Sequence, residues 1–261
     1  MQEDLLNYVP ADGLLKDKVI LVTGAAMGIG RAVALAYARF GATVVLLDKQ
    51  VPYLEKAYDD IMAAGGSEPA IYPLDMQGAT NDDYEALANN IREQLGRLDG
   101  ILLNGAWLAA FMPIKQHDID LWSKMITVNL HANFLIVKAC LPLLEASDDA
   151  AIVFSSDTTD KAYYGAFGVS KAAMNAFCDI LAQEHDNERD FIRVNRINTG
   201  PLRTSTRVLN FPGEHPDTLA TPDAVVGPYL FYMGPDAGQR TGEALTLERL
   251  PAGARWPGDT A

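Results

Sequence analysis

The sequence predicts an α/β fold: a doubly wound parallel sheet of about seven strands with helices on both faces. Three observations predict it. Val19-Ile20-Leu21-Val22 is a run of apolar residues, mostly β-branched, as in a strand buried on both faces. A glycine-rich turn follows, and Arg31 to Phe40 is an alanine-rich run of good helix formers. From there to the C-terminus, short apolar runs alternate with helical segments.

Taken in order, residues 1–17 read as a surface extension and 18–261 as a single domain. A second strand, Thr43-Val44-Val45-Leu46-Leu47, ends at Asp48. A helix over 53–64 stops at Gly65-Gly66. Ala70-Ile71-Tyr72-Pro73-Leu74 is a third strand, ending at Asp75. Asn81 or Asp82 caps a helix running to residue 95. The fourth strand spans 98–103. Residues 118–145 form one long helix or two, with Pro142 able to bend it. Ala151-Ile152-Val153-Phe154 is a fifth strand, 164–184 a helix and 191–197 a sixth strand. Residues 199–221 read as a long loop containing Pro201, Pro212 and Pro216. A helix near 224–232 and a strand at 244–247 close the sheet. No internal repeat or low-complexity segment interrupts the pattern.

The chain has 261 residues, 49% hydrophobic and 21% charged, with a net charge of −13. That balance argues against nucleic acid and anionic membranes as partners, since both reward a basic surface. Met1-Gln2-Glu3-Asp4 lacks the basic and apolar regions of a signal peptide, and no run of about 18 apolar residues is present. The expected location is cytoplasmic. Cys140 and Cys178 lie in apolar helical patterns and read as core residues of a reducing compartment. His117, His131, His185 and His215 are scattered without ligand spacing, so no metal site is expected.

The turn Thr23-Gly24-Ala25-Ala26-Met27-Gly28-Ile29-Gly30 stands between a strand and a helix, where a nucleotide pyrophosphate sits. Glycines let the backbone come close, and the helix N-terminus offers free N–H groups and a positive dipole end. Asp48 stands where a ribose diol would lie. A 2′-phosphate there would face a carboxylate, so NAD is expected over NADP; Lys49 opposes that preference.

The spacing Thr-Gly-x-x-x-Gly-x-Gly with these flanking strands resembles the short-chain dehydrogenase/reductase (SDR) family, over nearly the whole chain. The N-terminal half is similar to its YciK-like branch. The resemblance implies a Rossmann domain that holds a nicotinamide dinucleotide on Thr23, Gly24, Met27, Gly28, Ile29, Gly30 and Asp48. It implies that Asp75 and Met76 meet the adenine. Asn104-Gly105-Ala106-Trp107 corresponds to the family's Asn-Asn-Ala-Gly beside the adenine ribose; Trp107 replaces glycine and is expected to crowd the pocket. Asn129 matches an asparagine that holds a proton-relay water. Gly200 and Thr204, in Asn198-Thr199-Gly200-Pro201-Leu202-Arg203-Thr204, would line the nicotinamide and phosphates.

The departures fall on the catalytic residues. The family uses Tyr-x-x-x-Lys on a helix, one turn apart on one face. The lysine holds the nicotinamide ribose and lowers the tyrosine pKa. Here the segment is Phe167-Gly168-Val169-Ser170-Lys171: the lysine is present and the tyrosine is Phe167. Alignment from the fifth strand puts Asp157 at the family's serine, and the shortened connection also admits Ser156. Positioned acid–base catalysis contributes about 10²–10⁴-fold, so its loss would cripple carbonyl reduction unless another group replaces it. Tyr164 is the candidate surrogate; the alternative is that Tyr163 and Tyr164 pack a substrate loop. Asp157 and Lys171 are expected to pair in a largely dry pocket.

Two readings stand. One is an SDR-type oxidoreductase moving a hydride between a nicotinamide cofactor and a small-molecule carbonyl or alcohol. The other is a non-catalytic NAD-binding protein, a sensor or an assembly subunit. A homodimer or homotetramer is expected. The helices over 121–144 and 164–184 carry more apolar residues than one core face needs, and the family joins subunits through them.

Overall fold

The computed structural model describes residues 2–259. Seven strands form one parallel sheet in the order β3-β2-β1-β4-β5-β6-β7. They are β1 (Val19–Thr23), β2 (Thr43–Asp48), β3 (Ala70–Pro73), β4 (Gly100–Leu103), β5 (Ala150–Ser156), β6 (Ile192–Asn198) and β7 (Ala244–Thr246). The helices are α1 (Gln2–Leu6), α2 (Gly28–Arg39), α3 (Val51–Ala63), α4 (Asn81–Leu95), α5 (Ile119–Ile126), α6 (Ala132–Glu145), α7 (Gly165–Glu184), α8 (Ser205–Asn210) and α9 (Val226–Met233).

Strand β1 shows why its sequence is apolar from Val19 to Val22. Ile20 and Val22 pack into the layer containing α2, α3 and α9, while Val19 and Leu21 pack into the layer of α4, α6 and α7. With a period of two and helices on both faces, these four positions all meet packed side chains, and the polar residue of the strand, Thr23, stands at its carboxyl end. The chain runs outward from β1 to β3 on one side and from β4 to β7 on the other. A crevice therefore opens at the carboxyl ends of β1 and β4, where the strand order reverses.

The opposite end of the sheet is closed by two paired carboxylates, the half-buried Asp149 and the buried Asp99. Asp149, just before β5, pairs with Lys18 before β1 and with the buried Arg193 of β6. Burial pushes the Asp149 carboxyl up, but Arg193 and Lys18 outweigh it and hold the pKa below the usual carboxylate range. Asp99 accepts from the Val19 N–H at 2.9 Å and is paired with Arg97.

Three sequence expectations are corrected and one left open is decided. Residues 1–17 are more than a surface extension: Leu5 and Leu15 are buried in the core, and the Tyr8 carbonyl accepts from the Trp256 indole at 2.8 Å. Thr80, rather than Asn81 or Asp82, caps α4, through a reciprocal box with Asp83. The 118–145 region is one continuous helix of 27 residues, because a π-turn at Thr127–His131 joins α5 to α6 and Pro142 is absorbed inside α6. That helix is long and apolar enough by composition to cross a membrane; here Leu135, Ile136, Val137, Cys140 and Leu144 bury its inner face in the core. The 199–221 loop contains α8, capped by the Thr204 hydroxyl, which accepts from Arg207 N–H at 3.2 Å. Cys140 and Cys178 are free and buried, and burial pushes both thiols up to about 12.

Candidate active site

A cavity of about 580 Å³ lies at the carboxyl ends of the strands. Its walls include residues that follow β1 (Gly24), β2 (Lys49), β3 (Asp75, Met76), β4 (Asn104, Gly105, Ala106), β5 (Asp157) and β6 (Thr199, Gly200).

The β1–α2 turn forms a cradle that only this backbone allows. Gly24 has φ +67°, in the left-handed region. A Cβ on Gly30 would stand 2.2 Å from the Gly24 carbonyl oxygen, so the turn folds onto the helix start with space for hydrogen alone. Met27 stands at the N-cap of α2 and its side chain caps none of the first-turn N–H groups, which lie at the cavity wall of Met27, Gly28 and Ile29. Gly30 and Thr23 lie behind that wall. Thr23 Oγ1 accepts from the N–H of Asn104 (3.0 Å) and Gly105 (2.9 Å), tying β1 to β4. Asn104 Nδ2 donates to the Thr23 carbonyl at 3.3 Å.

Asp48 lines the same cavity at the end of β2. Its carboxylate accepts from Gln50 N–H at 3.1 Å and Ala26 N–H at 3.4 Å, which fixes it beside the glycine turn. Lys49 reaches Asp75 at 3.6 Å. The cradle, the helix start and Asp48 together fit a nicotinamide dinucleotide, which supplies hydride-transfer chemistry when bound.

At the other end stand Lys171, Phe167, Tyr164, Ser156 and Asp157. Phe167 is one turn before Lys171 on α7, is 6% exposed, and its ring centroid lies 5.9 Å from Lys171 Nζ. Lys171 donates to the Ser155 carbonyl at 2.9 Å. Burial lowers its pKa, and the Asp157 charge partly opposes that. The expected direct ion pair is not formed: no Asp157–Lys171 contact within 4 Å occurs among the described residues. The reason is local. The ammonium is turned to the end of β5, while Asp157 Oδ1 accepts from Thr158 N–H at 2.6 Å. Ser156 Oγ donates to Asn175 Oδ1 at 2.7 Å and is directed at α7.

Tyr164, just before α7, lies in the cavity wall. Burial raises its pKa, Asp157 adds to the rise, and Arg207 opposes it. Tyr163 is exposed. Asn129, on the π-turn, is outside the cavity wall. Its Oδ1 accepts from Trp107 N–H (2.6 Å), and its Nδ2 donates to the Trp107 carbonyl (2.9 Å) and Ser170 Oγ (3.1 Å). Asn129 thus clamps the loop after β4 to α7. Trp107 forms cavity wall beneath Lys124, whose Nζ is 4.2 Å from its ring, and the cavity stays open beside it. Gly200 and Thr204 line the cavity.

The sequence reading missed Leu108 and Phe111, and expected the 199–221 loop at the substrate without singling out Arg207 and Phe211; all four line the cavity. Phe111 and Phe211 sit in connections without hydrophobic periodicity, so no pattern marked them.

Comparison with known proteins agrees with this geometry. Residues 18–214 match the family model described as short chain dehydrogenase. The chain is 37% identical over 256 residues to the uncharacterized oxidoreductase YciK of Escherichia coli K12, covering 97% of this chain and 99% of that one. It superposes with a TM-score of 0.89 on a short chain dehydrogenase from Pseudomonas syringae, at 39% identity, covering 92% of this chain and 98% of that one. It superposes with a TM-score of 0.87 on a short chain dehydrogenase from Shigella flexneri complexed with NADP, at 37% identity, covering 90% of this chain and 99% of that one. The glycine cradle, the strand order and these matches agree, and the chain belongs to the short-chain dehydrogenase/reductase family.

Proposed function

We propose that this protein is a nicotinamide-dependent oxidoreductase of atypical active site, acting on a small carbonyl or alcohol. Residues 18–261 form its catalytic domain, buttressed by 1–17. The observation that carries the reading is a single cavity with the glycine cradle and Asp48 at one end and Lys171, Asp157 and Tyr164 at the other. Phe167 has no proton to exchange. Tyr164 carries a phenolic proton at neutral pH, burial and Asp157 raise its pKa further, and among the described residues no protein group bonds its hydroxyl. It is the donor offered to a substrate oxygen; Lys171 orients the ribose side, and Asp157 sets the charge felt by both. Turnover of NAD(P)H over a carbonyl panel, measured beside Phe167→Tyr, tests this. Dinucleotide binding without turnover in the wild type would favour the second reading, a non-catalytic NAD-binding protein, which the buried Phe167 supports.

The cofactor we propose is NAD. Asp48 is held in the cavity wall, and a 2′-phosphate beside it would meet a like charge. The Shigella relative was complexed with NADP, and a relative from Escherichia coli CFT073 with NADPH, which weigh the other way. Titration with NADH and NADPH decides, and tighter NADPH binding would overturn the preference.

We further propose a homodimer or homotetramer joined through α6 and α7, in the cytoplasm and without nucleic acid or membrane partners. Phe134, Val169 and Ile180 on these helices are exposed, and Phe134 packs on Phe177 at 6.0 Å. A monomeric mass by light scattering at micromolar protein would refute the assembly.

A further inference from the structure

We propose that the substrate end of the cavity is built for a neutral aromatic carbonyl compound. This rests on the oxidoreductase reading above and names its substrate class.

Four rings of the cavity wall touch in series. Phe211 meets Phe111 edge-on at 5.0 Å, Phe111 lies over Tyr164 at 4.5 Å and 30°, and Tyr164 is 6.1 Å from Phe167. They come from three segments: the loop after β4, the start of α7 and the connection after α8. The series ends beside Lys171. Trp107 and Leu108 add to the same wall. Rings arranged this way accept a further ring by edge or offset contact, with large apolar burial.

Lys171, at the inner end of the series, is turned to the Ser155 carbonyl, and the other charges around these rings disfavour an anion. Arg207, the arginine of the described cavity wall, lies over Phe211 at 3.4 Å and pairs with Glu214 at 2.7 Å, so its charge is already met. Lys124 sits over Trp107, and Lys161 is at the exposed rim. Inside, Asp157 would face an anionic ligand with a like charge. A polyol fares no better. Ser156 is committed to Asn175 and one Asp157 oxygen to Thr158, so buried hydroxyls would lose water for few partners. A single carbonyl oxygen needs one donor, and the Tyr164 hydroxyl supplies it. Outside the cavity, exposed Val208 and Leu209 on α8 extend the apolar surface.

Calorimetric titration of the full chain with three probes tests this: 1,2-diphenylethanedione, phenylglyoxylate and threitol. The diketone should bind at least about tenfold more tightly than either other probe, and Phe111→Ala and Phe211→Ala should each weaken it by about tenfold, the cost of losing a buried ring. Phe111→Leu and Phe211→Leu, which keep bulk without a ring, should weaken it as well and serve where an alanine variant does not fold. Equal or tighter binding of the anion or the polyol, or undiminished diketone binding in the folded variants, would overturn the proposal. Titration of the wild type with dinucleotide separates the two readings. Diketone binding without dinucleotide binding strikes the oxidoreductase reading alone; dinucleotide binding without diketone binding strikes the substrate class alone.

Discussion

The Lys171 ammonium donates to the Ser155 carbonyl oxygen at 2.9 Å, so the lysine is tied to the end of β5 by backbone rather than by the nearby Asp157 carboxylate. A charge only 8% exposed and bonded to a neutral oxygen is costly to keep.

That cost makes a pH-dependent prediction. Burial lowers the pKa of Lys171 in the folded protein. The unfolded chain therefore binds more protons between the folded value and the ordinary lysine range, and stability rises with pH across that window. Lys171→Met removes the buried charge. Its stability gain over wild type should be larger at neutral pH than at pH about 10, near the free lysine pKa. Urea unfolding at both pH values checks this; a gain that grows with pH would contradict it.

Asp157 should bias the redox state of the bound cofactor. Its charge opposes the pKa drop of Lys171 and adds to the rise of Tyr164, so it reaches both ends of this small cluster. A negative charge near the nicotinamide favours the cationic oxidised ring. In Asp157→Ser, the ratio of NAD⁺ to NADH affinity should fall by about threefold, the size of a partly screened charge interaction. Paired titrations measure it, and an unchanged ratio would remove Asp157 from the cofactor's environment.

Gly30→Ala should reduce dinucleotide affinity by at least about tenfold, or 1.4 kcal/mol. The added methyl would stand 2.2 Å from the Gly24 carbonyl oxygen, a backbone atom that cannot rotate aside. Fluorescence titration with NADH, with circular dichroism to confirm folding, provides the check.

Asp149→Ala should destabilise the fold by about 3 kcal/mol at neutral pH, because it strands the buried Arg193 guanidinium. Arg193 and Lys18 hold the Asp149 pKa below the unfolded carboxyl value. Its stabilisation is therefore complete above that unfolded value and is lost as pH falls through the folded one. The difference between wild type and variant should narrow in acid, as followed by denaturant unfolding at pH about 7 and about 3, either side of the free carboxyl range.

The sequence by itself determined the sheet, the cradle and the phenylalanine one turn before Lys171. Val19 to Val22 had to be buried on both faces, Gly24 and Gly30 had to allow a close turn, and Phe167 removed an acid wherever it stood. These are local properties, fixed by the residue and its neighbours in the chain. Tertiary structure decided what depends on distant groups. Lys171 chose the Ser155 carbonyl over Asp157, and Asn129 spent its amide on Trp107 and Ser170. Leu5 and Leu15 share one core with Trp256, whose indole donates to the Tyr8 carbonyl from the far end of the chain. Phe111 and Phe211 became one aromatic wall although 100 residues separate them, since a loop residue has no periodicity to announce its partner. Hydrogen bonds and ring contacts of that kind are selected by competition among groups brought together in space, which no window of sequence contains.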